Sequence, residues 1–121
     1  MIIIKGRSGK SRVLQDFINN KIENRSIAII DTVGVKSLSV PKGVDHFNFV
    51  KYDSKSAISI FETNWFKDYD WIIFEVNIEE PYLKYFIELD KRFTHNFIVT
   101  VQTDDEEVEV KFIWFWKWIN S

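Results

Sequence analysis

Four short, predominantly apolar runs punctuate this chain, and segments with helical spacing lie between them. The runs are Ile2-Ile3-Ile4, residues 26–31 (SIAIID), residues 71–76 (WIIFEV) and residues 97–101 (FIVTV). A strand buried on both faces reads as a continuous apolar run, whereas a half-buried strand alternates. Residues 46–52 (HFNFVKY) alternate in their first half and read as a further strand. Between the runs, apolar residues recur every three or four positions, the period of a helix face. Val13, Leu14, Phe17, Ile18 and Ile22 do so over residues 11–24, and Ile58, Phe61, Trp65 and Phe66 over residues 55–66. Leu83, Phe86, Ile87, Leu89 and Phe93 do so after Pro81, a residue suited to a first helical turn. Asp53 or Ser54 is placed to cap the second helix.

Strand and helix therefore alternate. The expectation is an α/β domain with a mostly parallel, five-stranded sheet flanked by helices as a three-layer sandwich. Residues 108–119 read as a last strand, which can join the sheet antiparallel, or as a helix. In such folds ligands bind at the carboxyl ends of the strands.

Composition narrows the classes of function. The 121 residues suit one domain spanning 1–121, and no linker or repeat divides them. With 45% hydrophobic residues and a net charge of −2, the chain buries enough surface to fold. Strong nonspecific nucleic-acid binding calls for a basic domain, so charge does not support it. The absence of cysteine removes disulfides, thiolate zinc sites and cysteine nucleophiles. The longest apolar runs are far below the ~20 residues of a membrane span, and the N-terminus lacks a signal-peptide pattern. A cytoplasmic protein is expected. Alanine occurs only at Ala28 and Ala57, while Ile, Lys and Asn abound, a usage that suits an AT-rich genome such as a low-GC bacterium or its phages and plasmids.

The chemistry-bearing stretch is the first strand-to-helix junction: Gly6, Arg7, Ser8, Gly9, Lys10, Ser11. Glycines there let the backbone curl so that successive N–H groups form an anion nest, and the helix that follows adds its own free N–H groups. This stretch resembles the Walker A loop of the P-loop NTPases. The resemblance implies that the backbone of residues 6–11 and Lys10 hold phosphates, and that the Ser11 hydroxyl holds Mg²⁺ with ATP or GTP. The loop is short: two residues separate Gly6 and Gly9 where the family has four, and the family's first glycine falls on Ile4. A shorter loop suits one phosphate better than a triphosphate.

Two later strands are similar to those of the RecA-like branch of the family. Residues 69–75 (YDWIIFE) resemble a Walker B strand, which implies that Glu75 joins Ser11 at the metal. Val76 stands where hydrolytic members often carry a water-activating Glu. Residues 97–102 resemble the next strand of that branch, which implies that Gln102 senses the γ-phosphate. Any hydrolysis would be in-line attack by water, weak or dependent on a partner. Asp31 closes its strand at the same edge but reads as turn chemistry with Thr32. His46 and His95 have no ligand spacing, and residues 104–107 (DDEE) read as a solvated turn.

A second reading makes the chain a noncatalytic interaction module, such as a phage or mobile-element accessory factor. Its motive is the C-terminal segment, where Trp114, Trp116 and Trp118 share one face if the segment is a strand. Aromatic anchors of that kind serve a protein partner or a homodimer.

Overall fold

The computed structural model describes residues 1–21, 26–34, 38–41, 43–63, 65–93 and 95–113. The Trp114, Trp116 and Trp118 segment lies outside the described residues.

The apolar runs become the strands of one sheet. They are β1 (Ile2–Gly6), β2 (Ile27–Asp31), β3 (Val44–Asn48), β4 (Trp71–Glu79), β5 (Asn96–Gln102) and β6 (Glu109–Phe112). Among the described residues the sheet has six strands, in the order β3-β2-β4-β5-β1-β6. The first five run parallel, and β6 pairs antiparallel with β1. The count therefore exceeds the expected five by the C-terminal strand.

Helices cover both faces. The first, α1, spans Lys10–Asp16 and continues as a π-helical turn over Phe17–Lys21. Leu14, Phe17 and Ile18 pack there with Ile2, Ile4, Ile29, Ile73 and Ile98. On the opposite face lie α2 (Ala57–Phe61) and α3 (Leu83–Arg92). Phe61, Phe86 and Leu89 pack there with Ile3, Ile30, Phe74, Phe97 and Val99. Phe61 is fully buried, with edge-on contacts to Phe74, Phe93 and Phe97.

Several local expectations change. Where one helix was expected over 55–66, a 3₁₀ turn (Ser54–Ser56) leads into the short α2, and a second 3₁₀ turn follows at Trp65–Asp68. Asp53 does cap the entry, accepting the Ser56 N–H at 2.9 Å. Pro81 lies in a 3₁₀ turn (Glu80–Tyr82) that precedes α3.

The largest departure is in β4. Glu75 is not its last residue: the strand runs on to Glu79 through a register shift against β5 between Phe74 and Ile78. Asn77 in that bulge has φ 45°. Only there among the described non-glycine residues does the backbone enter the left-handed region.

Candidate functional site

Period-2 alternation puts a row of polar residues on the α1 face at the carboxyl edge. Ile4, Ile98, Ile73, Ile29 and Val44 all belong to the core beneath α1. Two residues on from each stand Gly6, Thr100, Glu75, Asp31 and His46. Thr100, Glu75 and Asp31 are essentially inaccessible to solvent.

The glycine loop enters this row from β1. Gly9 takes φ 87° and ψ 0°, a left-handed conformation that a residue with a Cβ rarely adopts. It is followed by helical Lys10, and such an alternation points successive N–H groups to one side. Among the described residues, the N–H groups of Ser8, Gly9, Lys10, Ser11 and Arg12 reach no backbone carbonyl. The Arg7 N–H is taken, donating to Asp105 O at 3.0 Å.

Lys10 is only 5% exposed. Its ammonium turns back over the loop, donating to Gly6 O at 2.7 Å and to Gln102 Oε1 at 2.8 Å. Gln102 also donates through Nε2 to Arg7 O at 3.2 Å, so it ties β5 to the loop. Burial lowers the Lys10 pKa, against the opposing pull of the Glu75 charge. Lys10, Gln102 and Glu75, far apart in sequence, thus meet at one edge.

Glu75 is 1% exposed, and its pKa is raised to about 7. Desolvation is the main cause; the Asp31 charge adds to it, while Thr100 and Lys10 act against it. Thr100 Oγ1 donates to Glu75 Oε1 at 3.1 Å. The same oxygen accepts the N–H groups of Val76 and Asn77, both at 3.0 Å. Glu75 Oε2 is buried with no hydrogen-bond donor.

Asp31 lies directly opposite Glu75 on β2. Its Oδ1 accepts the N–H groups of Val33 and Gly34 at 2.8 Å, and its Oδ2 lies 2.7 Å from His46 Nε2. This is turn chemistry, and it commits both oxygens. Ser11 is half-buried at the start of α1, and its hydroxyl makes no hydrogen bond among the described residues. Ser8 and Arg7 face solvent.

The acidic segment 104–107 remains exposed, yet its backbone lies over the loop. The Thr103 N–H donates to Gly6 O at 3.2 Å, and Arg7 Nη2 lies 3.3 Å from Glu106 Oε1. A Cβ on Gly6 would meet Val108 Cγ2 at 3.2 Å and Val108 Cα at 3.3 Å, so only glycine fits that approach comfortably. His95 is remote from this edge, its Nδ1 lying 2.7 Å from Tyr69 O.

Sequence reasoning missed Thr100 and Asn77. Each left a signal: a threonine inside a buried apolar run needs hydrogen-bond partners, and an asparagine inside a strand favours a bulge. No cluster of three or more His, Cys, Asp or Glu side chains suited to a metal occurs among the described residues. No helix among them is long and apolar enough to cross a membrane.

Comparison of the chain with protein-family models, with curated proteins and with solved structures returned no match.

Proposed function

We propose that this chain binds a phosphate-bearing ligand, ATP or GTP with Mg²⁺, at the junction of β1 and α1, with weak or no intrinsic hydrolysis. The observation that carries this reading is the meeting of Lys10, Gln102 and Glu75 beside a run of N–H groups free of backbone acceptors. A buried ammonium beside such a run is suited to a phosphate dianion. The likeness of residues 6–11 to a shortened Walker A loop supports the same reading.

The donors fit a hard cation. Glu75 Oε2 is a buried acceptor with no donor, and the Ser11 hydroxyl is uncommitted among the described residues. Glu75 and Ser11 are the residues that would hold Mg²⁺. When bound, the ion neutralises charge on the phosphates. Binding is favoured over turnover because Val76, the neighbour of Glu75, is buried and apolar. It supplies a backbone N–H to Thr100 and no base. Gln102 is engaged at both ends of its amide, by Lys10 and by Arg7 O.

Calorimetric titration of ATP and GTP with Mg²⁺ tests the reading. Wild type is expected to release or absorb heat on binding, and Lys10→Ala is expected to lose most of it. Absence of heat with both nucleotides at millimolar concentration overturns the proposal.

A further inference from the structure

We propose that the β4 bulge is a cation seat in which Asn77 Oδ1 joins Glu75 Oε2, making Asn77 a metal-binding residue beyond Ser11 and Glu75. The inference builds on the reading of the site just given, but the seat is testable without any nucleotide.

Among the described residues, Glu75 Oε2 and Asn77 Oδ1 are buried side-chain oxygens with no hydrogen-bond partner, and both belong to this bulge. An amide oxygen only accepts, and so does an ionised carboxylate. Buried acceptors are nearly always satisfied, so two unsatisfied ones in a three-residue stretch call for a donor or a cation. Phe74, Val76 and Ile78 all belong to the core beneath α2 and α3, which leaves the alternate residues Glu75 and Asn77 together on the other face of β4.

The bulge is held in place by side-chain chemistry. Thr100 Oγ1 accepts the N–H groups of both Val76 and Asn77. Asn77 is kept at φ 45°, where asparagine is one of the few tolerated side chains. Strained backbone of this kind persists where the surroundings enforce it and concentrates at functional sites.

The neighbouring groups leave this demand unmet. Lys10 spends its ammonium on Gly6 O and Gln102 Oε1. Asp31 spends its carboxylate on Val33, Gly34 and His46, so it contributes negative field rather than a ligand. A carboxylate, an amide oxygen and a hydroxyl make an all-oxygen set, which suits Mg²⁺ completed by waters.

The test uses Mn²⁺ alone as the probe, titrated into the full chain and followed by the electron-spin signal of the free ion. Wild type is expected to bind one Mn²⁺, displaceable by Mg²⁺. Asn77→Gly is expected to weaken binding by about tenfold or more, while glycine accepts the φ and preserves the fold. Asn77→Asp is expected to tighten it, and Glu75→Gln to lose it. Free Mn²⁺ throughout a millimolar titration of wild type overturns the inference, as does equal affinity in wild type, Asn77→Gly and Asn77→Asp. Mn²⁺ binding without any nucleotide binding leaves the seat standing and removes the phosphate reading. Nucleotide binding with Mg²⁺ by a chain that, without nucleotide, leaves all Mn²⁺ free does the reverse.

Discussion

Thr100 and Glu75 face one another across neighbouring strands, the hydroxyl of one donating to the carboxylate of the other at 3.1 Å. Because the same hydroxyl accepts two N–H groups from the β4 bulge, one side chain sets both the backbone path and the acid's orientation. Thr100→Val keeps the shape and removes all of these bonds. Leaving buried donors unpaired costs about 1–3 kcal/mol each, so for these two we expect a loss of roughly 2–6 kcal/mol. Thr100→Ser keeps the hydroxyl and should stay within about 1 kcal/mol of wild type. Urea midpoints measure both; a Thr100→Val midpoint equal to wild type would show that the bulge does not depend on this residue.

Glu75 makes stability depend on pH in an unusual direction for a carboxylate. Its folded pKa, about 7, lies above the ordinary value of 4.5. The folded state therefore holds the proton more tightly than the unfolded chain does. Its contribution is fully present below pH 4.5, declines as pH rises towards 7, and is gone above that. At 1.36 kcal/mol per unit, the span is on the order of 3 kcal/mol. Other carboxylates titrate too, so the quantity to follow is the difference between wild type and Glu75→Gln. That difference should move in favour of Glu75→Gln between pH 5 and 8. A constant difference over this range contradicts the account.

The acidic segment 104–107 stands over the glycine loop through the Arg7–Glu106 pair and the Arg7 N–H bond to Asp105 O. Its four carboxylates oppose an incoming anion. Replacing them together with Asn and Gln should strengthen pyrophosphate affinity several-fold at low salt, and the gain should shrink as salt rises. Calorimetry at two ionic strengths decides it. An unchanged affinity at low salt would mean that the backbone of the segment, not its charge, matters there.

Gly9 carries a different constraint. At φ 87° a Cβ is strained, although Val108 Cγ2, at 3.5 Å, leaves room for it. Gly9→Ala should cost about 1–2 kcal/mol through backbone strain alone. It should also reduce phosphate affinity by turning the free N–H groups of the loop. Thermal midpoints and phosphate titration of the same variant separate the two effects. A variant as stable as wild type would mean that the loop adopts another path.

Much of the scaffold was legible in the residues themselves. Ile2–Ile4, SIAIID, WIIFEV and FIVTV announce strands buried on both faces because consecutive apolar residues, not alternating ones, dominate each of them. Gly6, Gly9 and Lys10 announce a tight turn with a cation at the carboxyl edge, and Asp31-Thr32 announces a turn at the next strand. These signals are local, and local preferences suffice to read them.

The site itself was decided by tertiary structure. Gln102 reaches Lys10, 92 residues away in sequence, because β5 lies beside β1, a pairing that leaves no mark in either segment alone. Glu75 was expected at a strand end. It lies instead inside a longer strand, because Thr100, across the ladder, accepts the N–H groups that a regular register would have paired elsewhere. Apolar periodicity determines which residues are buried, since burial depends on a side chain's own transfer from water. Strand order and the bulge depend on which distant backbone groups find one another, and that information exists only once the chain has folded.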